Sequence, residues 1–326
     1  MNTLRLNAQQ GQDIVTAADL LQQGKLVAVP TETVYGLAAD ASNPSAVSGI
    51  FTAKGRPANH PLIVHLHAIT AMTNWAKDIP AAAWQLAEAF WPGPLTLLLP
   101  KADHVSPVIT GGLNSIGLRM PAHPALLQVL QLNQLAVAAP SANRYKKLSP
   151  TSAEQVLAGL HGRIDAVLDG GECEHGVEST IVDLTGEHIR IVRAGPITAS
   201  QLQAVLKTTV LQPQQHQAQV PGNVDAHYQP NTPLRCLDIA KLHALLLEQP
   251  SNIAVLHLNA LPTAQEGIIC KQMPTDAAGY ASQLYRQLYQ ADKLGVTAIW
   301  CELPPQGEAW LAVHDRLRRA QFIERS

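Results

Sequence analysis

The chain has 326 residues, with 23 Lys/Arg against 25 Asp/Glu, a formal net charge of −2, and 46% hydrophobic, 15% charged and 4% aromatic residues. That length favours two domains over one. Sparse charge with ordinary apolar content excludes a disordered chain, and a net charge near zero argues against a protein that coats DNA or an anionic membrane. Cys173, Cys236, Cys270 and Cys301 lie far apart with no Cys-x-x-Cys pair, which reads as reduced thiols rather than a disulfide framework or zinc ribbon. The N-terminal stretch lacks an apolar signal core. The longest apolar run, residues 90–100, is interrupted by two prolines and a glycine and falls short of the ~18 residues needed to span a bilayer. A soluble, cytoplasmic protein is expected.

Residues 13–23 have helical spacing, with Gly24 as the stop, and residues 25–29 form a short strand running into Pro30. Helices are expected at 45–53, 81–91, 124–131, 151–157 and 198–206. Strands are expected at 62–66, 95–99, 116–120, 135–139, 164–168, 180–184 and 188–193, the last two close enough for an antiparallel hairpin. Strands interleaved with helices mean an α/β domain on one twisted sheet. Residues 207–233 carry six glutamines and little that packs, the signature of a linker. Beyond it a βαβ-type pattern resumes: strands at 235–238, 253–258 and 297–301, helices at 240–247, 276–294 and 308–319. The expected organisation is a first domain at 1–206, a linker at 207–233 and a small α/β domain at 234–326.

Polar residues gather where expected strands end, the usual place for ligands in α/β sheets. Residues 30–37 read PTETVYGL, two hydroxyls, a carboxylate and a phenol beside a glycine turn. Lys54-Gly55-Arg56-Pro57 closes a helix; its cations suit the helix dipole and equally a fixed fork for phosphate oxygens. His65 and His67 share a strand face, but no nearby carboxylate or thiol completes a metal set. Residues 139–143 (APSAN), with Ser149-Pro150-Thr151 opening a helix, offer either N-caps or an anion site. There is no Walker A loop, no G-x-G-x-x-G and no G-x-S-x-G elbow. The residues alone therefore stop at an α/β domain with an anion-friendly polar site.

Taken in order, PTETVYGL (30–37), KGRP (54–57), HPLIVH (60–65), the WPGP turn (91–94) before LTLLL, IGLRMP (116–121), APSAN (139–143), SPT (149–151), GVESTIVD (176–183) and Arg193 before GPIT resemble the threonylcarbamoyl-AMP synthase family. Pro221-Gly222 with His227-Tyr228, and Trp310 with the DRLRRA run (315–320), resemble its two-domain form. Where the family commonly has small residues after Asn143, this chain has Arg144-Tyr145-Lys146-Lys147.

The resemblance implies a YrdC-like twisted mixed sheet with a concave cavity, plus a small Rossmann-like C-terminal α/β domain. It implies an enzyme that joins L-threonine, bicarbonate or CO2 and ATP, with Mg²⁺, into threonylcarbamoyl-AMP and pyrophosphate. That product serves the tRNA threonylcarbamoyl transferase machinery in making N6-threonylcarbamoyladenosine. Carried over residue by residue, Lys54 and Arg56 hold the triphosphate and act as the catalytic cations. His60, Ser115, Ser141, Asn143, Ser149, Arg193 and Tyr228 complete the ATP site, with Tyr228 reaching back from the linker as a lid. Thr33, His65, Arg119, Ala139 and Ser179 hold threonine, Arg119 pairing its carboxylate. No protein-bound metal is expected. Two rival readings remain: a non-catalytic double-stranded RNA- or tRNA-binding protein of this fold, and the carbamoyl-transfer domain of hydrogenase maturation. Against the first, residues 1–200 hold 13 Lys/Arg and 15 Asp/Glu.

Overall fold

The computed structural model describes residues 2–212, 228–261 and 267–321. The larger sheet is built from β1 (Leu4–Asn7), β2 (Val27–Val29), β3 (Gly36–Asp40), β4 (Ile63–His65), β5 (Leu95–Pro100), β6 (Ser115–Arg119), β7 (Val137–Ala138), β8 (Ala166–Asp169), β9 (Thr180–Asp183) and β10 (Arg190–Arg193). Around it lie α1 (Gly11–Gln22), α2 (Pro44–Lys54), α3 (Ala81–Phe90), α4 (Pro107–Thr110), α5 (Pro124–Leu132), α6 (Ala153–Leu160) and α7 (Ala199–Leu206). The strand order is β1-β8-β2-β3-β7-β4-β6-β5-β9-β10. Parallel pairs such as β4/β6 and β5/β9 alternate with antiparallel ones such as β2/β3, β5/β6 and β9/β10. The sheet is thus mixed, and the expected 180–193 hairpin forms, with Arg190 bonded to Asp183 across it.

Two apolar layers cover this sheet. Leu21, Val129 and Leu126 of α1 and α5 pack with Val27 and Val137 on one side, and Ile50, Leu86, Leu97 and Leu118 belong to the larger core on the other. Local chemistry sets the helix ends. The Asn43 side chain caps α2 by accepting from the Ser45 and Ala46 amides, with Pro44 in the first turn. Gly55 ends it in the left-handed region at φ 66°, which glycine adopts without the usual penalty.

The second sheet, β11 (Leu234–Leu237), β12 (Ile253–His257), β13 (Ile268–Gln272) and β14 (Ala298–Glu302), is wholly parallel in the order β11-β14-β12-β13. Its helices are α8 (Ile239–Leu247), α9 (Ala277–Asp292) and α10 (Leu311–Ala320). Its core does not stop at its own boundary: Val34, Val177 and Tyr228 pack into the cluster formed by Leu284, Tyr285, Val313 and Leu317. At that junction Gly176 has φ 68°, and a Cβ there would lie 2.6 Å from the Ala281 carbonyl oxygen.

β1, β3 and β13 were not expected from the pattern. Gly36-Leu-Ala-Ala-Asp40 has no β-branched residue, and only pairing with β2 and β7 makes it a strand. β13 is a largely exposed edge strand. The strand expected at 135–139 shrinks to Val137–Ala138 because the chain turns at Pro140. All four cysteines are free. Among the described residues no helix is long and apolar enough to cross a membrane.

Candidate active site

The turn between β2 and β3 is held by one hydroxyl. Thr31 Oγ1 accepts from the Thr33 and Val34 amides and donates to the Val34 carbonyl, an ST-turn that leaves Glu32 and Thr33 facing inward. Register pairs His65 of β4 with Arg119 of β6, which places Arg119 against that turn. Arg119 donates to Glu32 Oε1 at 2.6 Å, to Thr33 Oγ1 at 3.1 Å and to the Gly93 carbonyl at 3.2 Å, and Glu32 Oε2 accepts from the Ala122 amide. Both members of the pair are almost wholly buried. Burial would raise the Glu32 pKa, but the Arg119 charge and these hydrogen bonds hold it below the usual carboxylate range. Three of the five guanidinium N–H donors are used, so two remain for a ligand.

Opposite this pair, Lys54 is only 3% exposed and donates to the carbonyls of Ser141 and Asn143. Burial and the neighbouring Arg56 pull its pKa well below the ordinary lysine value. Lys54 thus lines the cavity while pinning the 141–143 loop. Arg56 reaches the Pro61 carbonyl and stands 6.0 Å over the Phe51 ring. Arg193 donates to the Ser179 carbonyl and hydroxyl, both at 2.9 Å, and Ser179 also shares a hydrogen bond with Thr96. Burial pulls Arg56 and Arg193 down to about 10, so both stay charged at neutral pH. His65 is buried beside Arg119, which together push its pKa down to about 3. It is neutral at pH 7, with an unpartnered Nδ1.

These groups enclose one cavity, lined by Thr33, Lys54, Arg56, His65, Arg119, Ala139, Ser141, Asn143, Ser179, Arg193 and Tyr228 among others. Eleven of the fourteen expected site residues thus meet in one place. His60, Ser115 and Ser149 do not. His60 stands behind Tyr145, ring edge to face at 5.8 Å. Ser115 begins β6 whereas Arg119 ends it, about 13 Å further along an extended strand. Ser149 is turned away and donates to Glu178 Oε1 at 2.6 Å; it borders a separate cleft under Gln229 and Tyr289. Asn143 lines the cavity with its amide N–H groups spent on the Arg144 and Lys147 carbonyls. Only its buried Oδ1 is unpartnered, an acceptor suited to a hydroxyl or amine and not to a phosphate.

Sequence reasoning left out Glu178 and Tyr145, which also line the cavity, and Glu32, which braces Arg119 beside it. Their signal was adjacency: Glu32 precedes Thr33, Glu178 precedes Ser179, and Tyr145 sits in the cationic loop. That loop receives the returning linker, since the Gln229 amide donates to the Lys146 carbonyl and Lys147 Nζ donates to Asn231. Pro221, Gly222 and His227 lie outside the described residues.

A protein-held Mg²⁺ does not fit this donor set. Glu32 is committed to Arg119 and Ala122, Glu178 to Ser149, Tyr285 and Arg316. Among the described residues no group of His, Cys, Asp and Glu is arranged to hold a metal. A magnesium ion that enters with a nucleotide would rest on phosphate oxygens and water.

The fold and site define an α/β protein of the YrdC-like class with an enclosed, cation-lined cavity. The family described as telomere recombination, which groups Sua5, YciO and YrdC, matches residues 19–195, and the threonylcarbamoyl-AMP synthase C-terminal domain matches residues 197–321. Threonylcarbamoyl-AMP synthase of Pyrococcus abyssi is 38% identical over 93% of this chain and 92% of its own; that of Bacillus subtilis is 38% identical over 94% and 92%. The crystal structure of P. abyssi Sua5 complexed with L-threonine superposes with a TM-score of 0.88 at 36% identity, covering 98% of this chain and 97% of that one. Escherichia coli YciO shares the fold over 60% of this chain (TM-score 0.52, 19% identity). The chain belongs to the threonylcarbamoyl-AMP synthase family.

Proposed function

We propose that the cavity joins L-threonine, bicarbonate or CO2 and ATP into L-threonylcarbamoyl-AMP and pyrophosphate, the adenylate then serving tRNA N6-threonylcarbamoyladenosine synthesis through a transferase that receives it. The observation that carries this reading is the convergence of Lys54, Arg56, Arg119 and Arg193 on one enclosed space. The threonine amine captures CO2 as a carbamate, whose oxygen attacks the α-phosphorus as pyrophosphate leaves. Two anions must meet in line, so the barrier is dominated by repulsion and orientation, which fixed cations relieve.

The polar groups divide by chemistry. The spare donors of Arg119 suit the threonine carboxylate, with Thr33, Ser179 and neutral His65 around it and Ala139 against its methyl side. Neutral His65 adds no charge that would compete with Arg119. Lys54 and Arg56 suit the β- and γ-phosphates, Arg193 the α-phosphate, Ser141 a phosphate or ribose oxygen, and Asn143 Oδ1 a ribose hydroxyl or the adenine amine. Magnesium enters with ATP as part of the substrate.

Tyr228, brought back to the cavity from the linker, would shield a labile mixed anhydride from water. Cations turned into an enclosed cavity favour this reading over binding to the outside of an RNA duplex. The test is pyrophosphate release by purified protein. Release that required both threonine and bicarbonate is expected; release indifferent to either would falsify the proposal.

A further inference from the structure

Arg316 lies in α10, remote in sequence from every cavity motif, and is fully buried. Its guanidinium crosses into the large sheet domain. Nε donates to Glu178 Oε2 at 2.8 Å, Nη2 to the Glu178 carbonyl at 3.4 Å, and Nη1 to the Ala194 carbonyl at 3.0 Å. Those acceptors adjoin Ser179 and Arg193, the two cavity residues at the start of β9 and the end of β10. The guanidinium carbon stands 5.6 Å over the Tyr228 ring centre, and the ring of Tyr285 of α9 stands 5.5 Å from that ring, tilted by 34°. Tyr285 closes the circuit by donating to Glu178 Oε2 at 3.1 Å.

Tyr228 itself has φ 63°, a region unfavourable for a bulky side chain and kept only when packing enforces it. Burial would raise the Glu178 pKa, but Arg316, Arg193 and the Ser149 hydroxyl keep it ionised. A neutral Glu178 would release Arg316, and the contact with Tyr228 would lose its anchor. Asp315 steadies the arrangement from below, accepting from Arg316 and Arg319.

We infer that Arg316 is a positioning residue for the reaction: through its fork on Glu178 and Ala194 and its contact with the Tyr228 ring, the C-terminal domain holds Tyr228 and the nucleotide side of the cavity in place. This rests on the function proposed above. It assigns the second domain a part in the active site of its own chain, rather than a separate binding task. Arg316 touches no substrate; it acts through Tyr228.

The experiment compares wild type, Arg316→Lys, Tyr228→Ala and the double variant of these two. It measures kcat, the KM for ATP and for threonine, and calorimetric threonine binding. Arg316→Lys keeps the charge but loses the planar fork. It is expected to raise the KM for ATP about tenfold and lower kcat similarly, a loss typical of one displaced contact. Threonine affinity stays within about twofold, because Ser179 is also held by Thr96 and Arg193. In the Tyr228→Ala background the same substitution should add less than about twofold, the non-additivity of residues that act as a unit. An Arg316→Met/Glu178→Gln pair, which removes both buried charges together, guards against unfolding; it should recover the melting temperature without recovering the KM for ATP. Additive losses, or wild-type ATP kinetics in a folded Arg316 variant, would overturn the inference while leaving the function standing. A wild-type protein without threonine-dependent turnover would overturn both.

Discussion

Two buried glutamate–arginine pairs border the same cavity and do different things. Glu32–Arg119 lies within the large sheet domain, and Arg119 spends three donors on protein and has two left beside the cavity. Glu178–Arg316 joins the two domains; every polar group of the pair is occupied by protein, and the face of the arginine is covered by Tyr228. Taking such pairs out of water is costly, and an apolar substitute is often as stable. Their retention makes sense where charge is used. In the first pair it is presented to a ligand, and in the second it orients neighbours that meet the ligand.

The sharpest way to break the contrast is to remove a cation of the cavity that lacks a buried carboxylate partner. Lys54→Ala should lower pyrophosphate release by about 10³-fold, the upper range for losing one preorganised donor, while also freeing the 141–143 loop it pins. A variant with near-normal kcat would remove Lys54 from the triphosphate site. Next, Arg119→Met should raise the KM for threonine about 100-fold, with much less effect on the KM for ATP. It should also destabilise the fold by about 3–5 kcal/mol, since Glu32 would be left buried without its cation. Urea titration of Arg119→Met beside Arg119→Met/Glu32→Gln separates these: the double variant should regain stability but not threonine affinity. If ATP affinity fell instead, the assignment of the two sides of the cavity would be reversed.

Acid should test both pairs at once. His65 titrates near 3 in the folded chain against 6.5 in the unfolded one. Below pH 6.5 the unfolded chain therefore takes up a proton the native state refuses. Stability is full above that value and falls by ~1.4 kcal/mol per pH unit as pH drops towards 3. Glu32 and Glu178, both depressed below 4.5, add to the loss as pH falls through the carboxylate range. Denaturation midpoints at pH 7.5, 6.0 and 5.0 measure this, and His65→Asn should flatten the slope between 6.5 and 5; an unchanged slope would mean that other histidines account for it. The smallest effect is expected at the exposed Lys77–Asp103 pair. Lys77→Ala should leave activity and Tm unchanged, because solvent screens such a bridge.

Much of the site was legible because its residues come in short, ordered runs. PTETV carries Thr33, KGRP carries Lys54 and Arg56, and GVEST carries Ser179. What was not legible is which donors remain after the chain has folded. Ser149 and Ser179 read alike in sequence, yet one is consumed by Glu178 and the other lines the cavity. Asn143 reads as a donor, yet its N–H groups close their own loop. β3 escaped notice because alanine and glycine have little intrinsic strand preference, and only its neighbours supply the ladder.

Sequence by itself determined the division into two α/β units and the local signals that begin and end helices such as α2, because these follow from composition, spacing and local hydrogen bonding; the cavity's cations were named through the resemblance of the ordered motifs to a known family. Tertiary structure decided the rest. Convergence of Lys54, Arg56, Arg119 and Arg193 depends on strand order in a mixed sheet, and the position of Tyr228 depends on Arg316 and Tyr285 arriving from the far end of the chain. Hydrogen-bond donors are finite and directional. Which of them still face a ligand is settled only when every buried acceptor around them has taken its share.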